Sequence, residues 1–117
     1  MTMDMIEGPA RKLCAYIGEK ATYDDKPLYE ALVESARTAG CAGATVLRGV
    51  AGFGATSRQI GKRAMRMSQD KPVVVQVIDS DDRITALAEV FAAMVTDGLV
   101  TVENVHVIAY RTEMVPR

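Results

Sequence analysis

The chain has 117 residues, 49% of them apolar and 25% charged, and a formal net charge of −1 at pH 7. That length suits one domain with an ordinary buried core, and the near-zero charge removes the global attraction that a nucleic-acid binder or a membrane-surface protein relies on. Cys14 and Cys41 lie far apart and give neither a disulfide framework nor a metal-ligand spacing. Both are expected to be reduced, in a cytoplasmic protein. Met1–Ile6 carries Asp4 and no long apolar run, so no signal peptide is expected there. No stretch approaches the roughly 18 apolar residues of a membrane span.

Taken in order, Met1–Pro9 reads as an irregular lead-in and Lys12–Ile17 as a first strand ended by Gly18. Glu19–Lys26 reads as a polar loop. Pro27 suits the first position of a helix, where its missing N–H costs nothing. Leu28, Ala31, Leu32, Ser35, Ala36 and Ala39 then recur at helical spacing, and Gly40 supplies a stop, which predicts a helix over 27–39. Residues 43–48 form a second strand. Residues 58–69 fit either a helix with Arg58, Lys62, Arg63 and Arg66 on one face or, as preferred here, an extended returning arm; Met65 and Met67 suit packing. Val73–Ile78 is the clearest strand, apolar on both faces. Asp79 or Ser80 caps a second helix whose buried stripe is Ile84, Leu87, Ala88, Phe91 and Val95, with Asp81 and Asp82 suited to its N-terminal dipole and Gly98 as its stop. Val105–Tyr110 is the last strand, and Thr112–Arg117 is expected to fray.

The order β-α-β-β-α-β predicts an α+β, ferredoxin-like sandwich: an antiparallel four-stranded sheet with two helices on one face. One such unit accounts for residues 1–117, with a core of about 6–111 and a glycine-rich, basic excursion at about 49–70. The apolar residues on both faces of the sheet leave one face uncovered, which points to a homo-oligomer that packs sheets together. The alternative is a monomer with an exposed apolar patch.

Function is expected in the segment Arg48-Gly49-Val50-Ala51-Gly52-Phe53-Gly54-Ala55-Thr56-Ser57. Its three glycines lack a Cβ, so a ligand can approach the backbone closely, and successive N–H groups in such a turn can hold an anion. Arg48 opens the segment; Ser57 and Arg58 close it. Between Arg48 and Lys71 there are six basic residues and one acid, Asp70. A phosphate-binding loop and a solvated hairpin without ligand both fit these residue types. Phe53 fits a base-stacking role or a loop plug. His106, alone within a strand, reads as structural. Asp24/Asp25 and Asp81/Asp82 are explained by solvation and capping, and no catalytic or metal-binding set can be assembled.

Ile6-Glu7-Gly8-Pro9-Ala10, Tyr16-Ile17-Gly18-Glu19, Lys26-Pro27-Leu28-Tyr29-Glu30-Ala31, the run Ala39 to Gly49, Gly52-Phe53-Gly54, Pro72-Val73-Val74-Val75 with Ile78-Asp79, and Gly98-Leu99-Val100-Thr101 occur together. In this combination the chain resembles the domain-of-unknown-function 190 family of small PII-like proteins, from about Ile6 to Arg111. The resemblance implies a homotrimer that binds an adenine nucleotide (AMP, ADP or ATP) in clefts between subunits and needs no cofactor. Arg48–Arg66 takes the place of the arm through which PII proteins touch their targets. Gly98–Thr101 takes the place of a second phosphate-contacting loop, and Arg111 the place of a segment that reaches a neighbouring subunit. True PII proteins carry clustered glycines and a lysine in that second loop, where this chain has only Gly98, and Ile60 is followed here by Gly61 rather than by a histidine.

The resulting expectation is a regulator that is not an enzyme. Arg48, Gly49, Gly52, Phe53, Gly54, Ser57, Arg58, Gly98 and Arg111 are its candidate ligand residues, and an unknown protein receives the signal, a membrane transporter being one candidate. The alternatives are a structural adaptor of a membrane transporter without a small ligand, and a slow nucleotide-processing enzyme. Nucleic acid is not an expected partner, because the basic segment is short and aromatics are few.

Overall fold

The computed structural model describes residues 6–54 and 70–113. Strand β1 (Gly8–Gly18) leads into a two-residue hairpin of β2 (Thr22–Tyr23) and β3 (Lys26–Pro27), followed by helix α1 (Leu28–Thr38) and strand β4 (Thr45–Arg48). Strand β5 (Pro72–Asp79), helix α2 (Asp81–Met94) and strand β6 (Leu99–Val107) complete the described elements. The four long strands lie in the order β4-β5-β1-β6, every neighbouring pair antiparallel. This is the expected ferredoxin-like α+β arrangement.

The period-2 pleat sorts the central strands into two faces. Leu13, Ala15 and Ile17 of β1 and Val73, Val75 and Val77 of β5 are buried in one cluster with Leu28, Ala31, Leu32 and Ala36 of α1 and Ile84, Leu87, Phe91 and Met94 of α2. Both helices therefore cover the same face of the sheet. Each large apolar side chain buried there contributes about 1.5–3 kcal/mol. The α2 stripe matches expectation except that Met94 is buried and Ala88 and Val95 pack at its margin.

On the other face, pairing across all four strands sets Leu47 beside Val74, Val74 beside Tyr16, and Tyr16 beside Leu99. Leu47, Tyr16 and Leu99 are 47%, 43% and 57% exposed, and Ile78 of the same face is exposed as well. The uncovered apolar face inferred from the sequence is present in the chain.

Several element boundaries differ from expectation. Strand β1 starts at Gly8, four residues early, because Pro9 and Ala10 pair with His106 and Val105. Strand β6 starts at Leu99 rather than Val105 and ends at Val107, so Ile108–Tyr110 lie beyond it. Polar Thr101, Glu103 and Asn104 mask the alternation, yet Val100 and Val102 pack against the core. Helix α2 ends at Met94, not near Gly98: Val95 is already extended, and its N–H closes the last turn on the Phe91 carbonyl. Pro27 precedes α1 as its cap residue instead of opening it. The polar loop contains the β2–β3 hairpin, turned by Asp24 and Asp25 at φ of 51° and 65°, the two positive values that a type I′ turn needs. Ser80 is the α2 cap, its side chain accepting from the Arg83 N–H. The choice between helix and extended arm for residues 58–69 falls outside the described residues.

Asp79 is wholly buried at the end of β5. One carboxylate oxygen accepts from the Ala42 N–H at 2.8 Å; the other accepts from the Ser80 N–H at 2.7 Å and lies 3.4 Å from the Arg83 guanidinium. The side chain thus ties the α1–β4 connection to the start of α2. Burial pushes the Cys41 thiol pKa up; the nearby Asp79 carboxylate adds to the rise and Arg83 opposes it. Stability is therefore full below the pH at which the unfolded thiol ionises, and falls as pH rises through the folded thiol's own pKa.

Asp79→Ala would leave two partly buried backbone donors without their acceptor and remove one carboxylate partner of Arg83, so a loss of about 3 kcal/mol is expected; a urea midpoint equal to that of the wild type would contradict it. In folded protein at pH 8, iodoacetamide should alkylate Cys41 more slowly than a free cysteine peptide, as followed by peptide mass spectrometry.

Candidate functional site

Antiparallel pairing brings the end of β1, the end of β4, the start of β5 and the start of β6 to one end of the sheet. Arg48, Gly49, Gly52, Phe53 and Gly54 follow from β4 at that end, and Gly98 lies there beside the Tyr16 carbonyl at the opposite sheet edge. Three strand spacings, about 14 Å, separate the two edges.

The base of the glycine excursion is fastened to the start of β5 and to the turn after β1. The Gly49 N–H donates to the Pro72 carbonyl at 2.7 Å, and the Glu19 N–H to the Lys71 carbonyl at 2.8 Å. The Lys20 N–H donates to an Asp70 carboxylate oxygen at 2.7 Å. The Arg48 guanidinium is ion-paired with Glu19, Nη2 to Oε2 at 2.7 Å. The pair is partly exposed, so its net stabilisation is about 1 kcal/mol or less. Arg48 and Asp70, the two ends of the excursion, are thus held on one turn, Gly18–Ala21.

Several glycines at this end are required by close approach. A Cβ on Gly49 would sit 2.6 Å from Pro72 Cγ and one on Gly98 2.5 Å from the Tyr16 carbonyl oxygen, while one on Gly18 would meet the Asp70 carboxylate, a side-chain end that would have to move. Gly54 has open space where its Cβ would be. Val50 and Phe53 present apolar surface to solvent, 91% and 56% exposed.

The sequence-predicted set is therefore divided. Arg48, Gly49, Gly52, Phe53 and Gly54 are contiguous, and Gly98 shares their end of the sheet. The separate loop expected over Gly98–Thr101 is not formed: Leu99 to Thr101 are paired in β6 with Tyr16 to Cys14. Arg111 follows β6 out of the opposite end, where Gly8 pairs with Val107 and the Tyr110 N–H donates to Glu7 at 2.9 Å. Within one chain that places it about 27 Å of strand from the glycines. Ser57 and Arg58 lie outside the described residues. Glu19, the ion-pair partner of Arg48, was not among the expected site residues; its place in the quoted Tyr16–Glu19 motif was the only signal for it.

His106 is exposed in β6, paired with Pro9 at the end remote from the glycines. Among the described residues no group of His, Cys, Asp and Glu could hold a metal ion. No helix among them is long and apolar enough to cross a membrane. A groove of about 800 Å³ between α1 and α2, lined by Tyr23, Ala31, Glu34, Ala86, Val90 and Met94 among others, contains none of the candidate site residues.

The fold is that of PII-like proteins. The structure of CPII from Thiomonas intermedia K12, a PII-like protein, bound to ADP and bicarbonate has a TM-score of 0.62 at 18% identity, covering 86% of this chain and 90% of that one. Its apo form, described as a nitrogen regulatory PII-like protein, has a TM-score of 0.57 at 20% identity over 85% of this chain and 91% of that one. A further structure of the same protein, with ADP, AMP and bicarbonate bound, has a TM-score of 0.57 at 17% identity, covering 85% and 94%. At the level of sequence, the family model DUF190, described as "Uncharacterized ACR, COG1993", matches residues 10–107. The chain belongs to that family. The UPF0166 protein of Aquifex aeolicus (strain VF5) is 34% identical over 93 residues, 80% of this chain and 88% of the relative. UPF0166 protein MJ1524 of Methanocaldococcus jannaschii is 25% identical over 100 residues, 84% and 91% of the two chains.

The glycine contacts predict an order of sensitivity. Gly98→Ala, pressed on backbone, should lose about 2–3 kcal/mol; Gly49→Ala, pressed on a proline ring, about 1; and Gly54→Ala should stay within about 0.5. Chemical denaturation of the three variants measures this, and a reversed order would contradict the packing described.

Proposed function

We propose that this protein is a PII-like regulator that binds an adenine nucleotide, AMP, ADP or ATP, at the sheet end marked by Arg48 and Gly49–Gly54, and passes the occupancy of that site to a partner protein. The observation that carries the reading is the placement of an arginine and a run of side-chain-poor backbone at one end of a sheet whose PII-like structural neighbours were solved with ADP. Arg48 supplies charge-assisted hydrogen bonds to phosphate, and the N–H groups of 52–54 supply further donors. Ser57 and Arg58 belong to the same reading by their nearness in sequence.

The reading extends to assembly. The exposed row Leu47–Val74–Tyr16–Leu99 is apolar surface of the kind that an oligomer covers, and it ends beside Arg48 on one edge and Gly98 on the other. Three copies joined through this face would complete clefts at the glycine end. They would also allow Arg111, remote from Arg48 within a chain, to reach a neighbour's site. One unit spanning residues 1–117, acting in the cytoplasm, satisfies this scheme. Ligand held at Arg48 would shift the protein toward the form with the higher affinity for the partner. The described residues of the site supply charge and backbone donors but no nucleophile with an adjacent base, which favours sensing over catalysis.

Isothermal titration with AMP, ADP, ATP and cyclic AMP should give binding to at least one of them, and Arg48→Ala should weaken it about tenfold, the loss of one charge-assisted bond. Absence of heat with all four at millimolar concentration would overturn the proposal.

A further inference from the structure

Glu19 occupies the position from which it competes with an incoming anion. Its carboxylate lies 2.7 Å from Arg48 Nη2, the distance of a short charge-assisted bond and the same geometry a phosphate oxygen would adopt. Its backbone N–H is separately fixed on the Lys71 carbonyl, so the residue is held at the base of the excursion whether or not its side chain stays on Arg48. A second carboxylate, Asp70, approaches the same turn from the segment before β5, its oxygen accepting from the Lys20 N–H. The arginine at the mouth of the site is thus paired with a carboxylate of its own chain, and an approaching phosphate meets that carboxylate's negative charge beside the cation it seeks.

We infer that Glu19 sets the anion affinity of the Arg48 site by acting as an internal carboxylate that a phosphate group must displace. The inference rests on the proposed nucleotide reading and adds to it a residue and a direction. Replacing Glu19 with an uncharged isostere removes both the competitor and the repulsion, so binding tightens. An orienting role, in which Glu19 holds Arg48 ready for ligand, gives the opposite sign. The two readings are therefore separable by one substitution.

The test is titration of ADP and, separately, of inorganic phosphate into the full-length wild type, Glu19→Gln, Arg48→Ala and the double variant at low ionic strength. The expected result is that Glu19→Gln binds ADP about three- to fivefold more tightly than the wild type, the range of a partly exposed ion pair. The gain should shrink as salt is raised and vanish in the Arg48→Ala background. A merely structural role for Glu19 would not produce a gain that depends on Arg48. Unchanged or weaker ADP binding by Glu19→Gln, with the variant folded by circular dichroism and the wild type binding, overturns the inference and leaves the nucleotide reading standing. Failure of wild type and Glu19→Gln alike to bind either ADP or phosphate overturns the inference, and failure of the wild type with AMP, ADP, ATP and cyclic AMP alike overturns the nucleotide reading as well.

Discussion

Strand β1 is paired along both edges, with β5 from Arg11 to Gly18 and with β6 from Gly8 to Tyr16. Everything at the candidate site depends on where that double pairing stops. At Gly18 the chain turns away from the sheet, and the next two backbone N–H groups are given to Lys71 and Asp70. A side chain at Gly18 would meet the Asp70 carboxylate and push it from its place on the Lys20 N–H, so the missing Cβ leaves room for that anchor. The end of the central strand thus becomes the place where both legs of the glycine excursion are anchored.

The same pairing explains the asymmetry of the sheet. Alternation in β1 and β5 sends one set of apolar residues under the two helices and the other set, with Leu47 and Leu99 at the edges, to a face that no described element of the chain covers. The candidate site lies at the rim of that face. A surface suited to assembly and a backbone suited to an anion are consequently adjacent, which is the physical basis for reading the two together.

Much of this was legible from residue order. Pro27 and Gly40 bracket α1, Ser80 starts α2, and the valines of β5 announce a central strand; together these dictate the ferredoxin-like arrangement. The start of β6 was hidden because Thr101, Glu103 and Asn104 interrupt its apolar alternation, and an edge strand tolerates such residues. The β2–β3 hairpin was hidden because Asp24 and Asp25, with no glycine between them, take the positive φ values of the turn. At the site, the glycines and Arg48 stood out by type. Glu19 did not, since its pairing with Arg48 joins residues far apart in sequence. The separation of Arg111 from Arg48 follows from the direction of β6, which composition does not reveal.

The bonds from Gly49 to Pro72 and from Glu19 to Lys71 also make the excursion a closed module. Because its two feet meet, the entropy of joining them grows only with the logarithm of the chain between, about 0.6 kcal/mol for each doubling of length. A change of length between the two anchors would therefore alter the closure cost borne by the sheet only slightly. The reach of this segment can diversify while the domain that carries it stays the same.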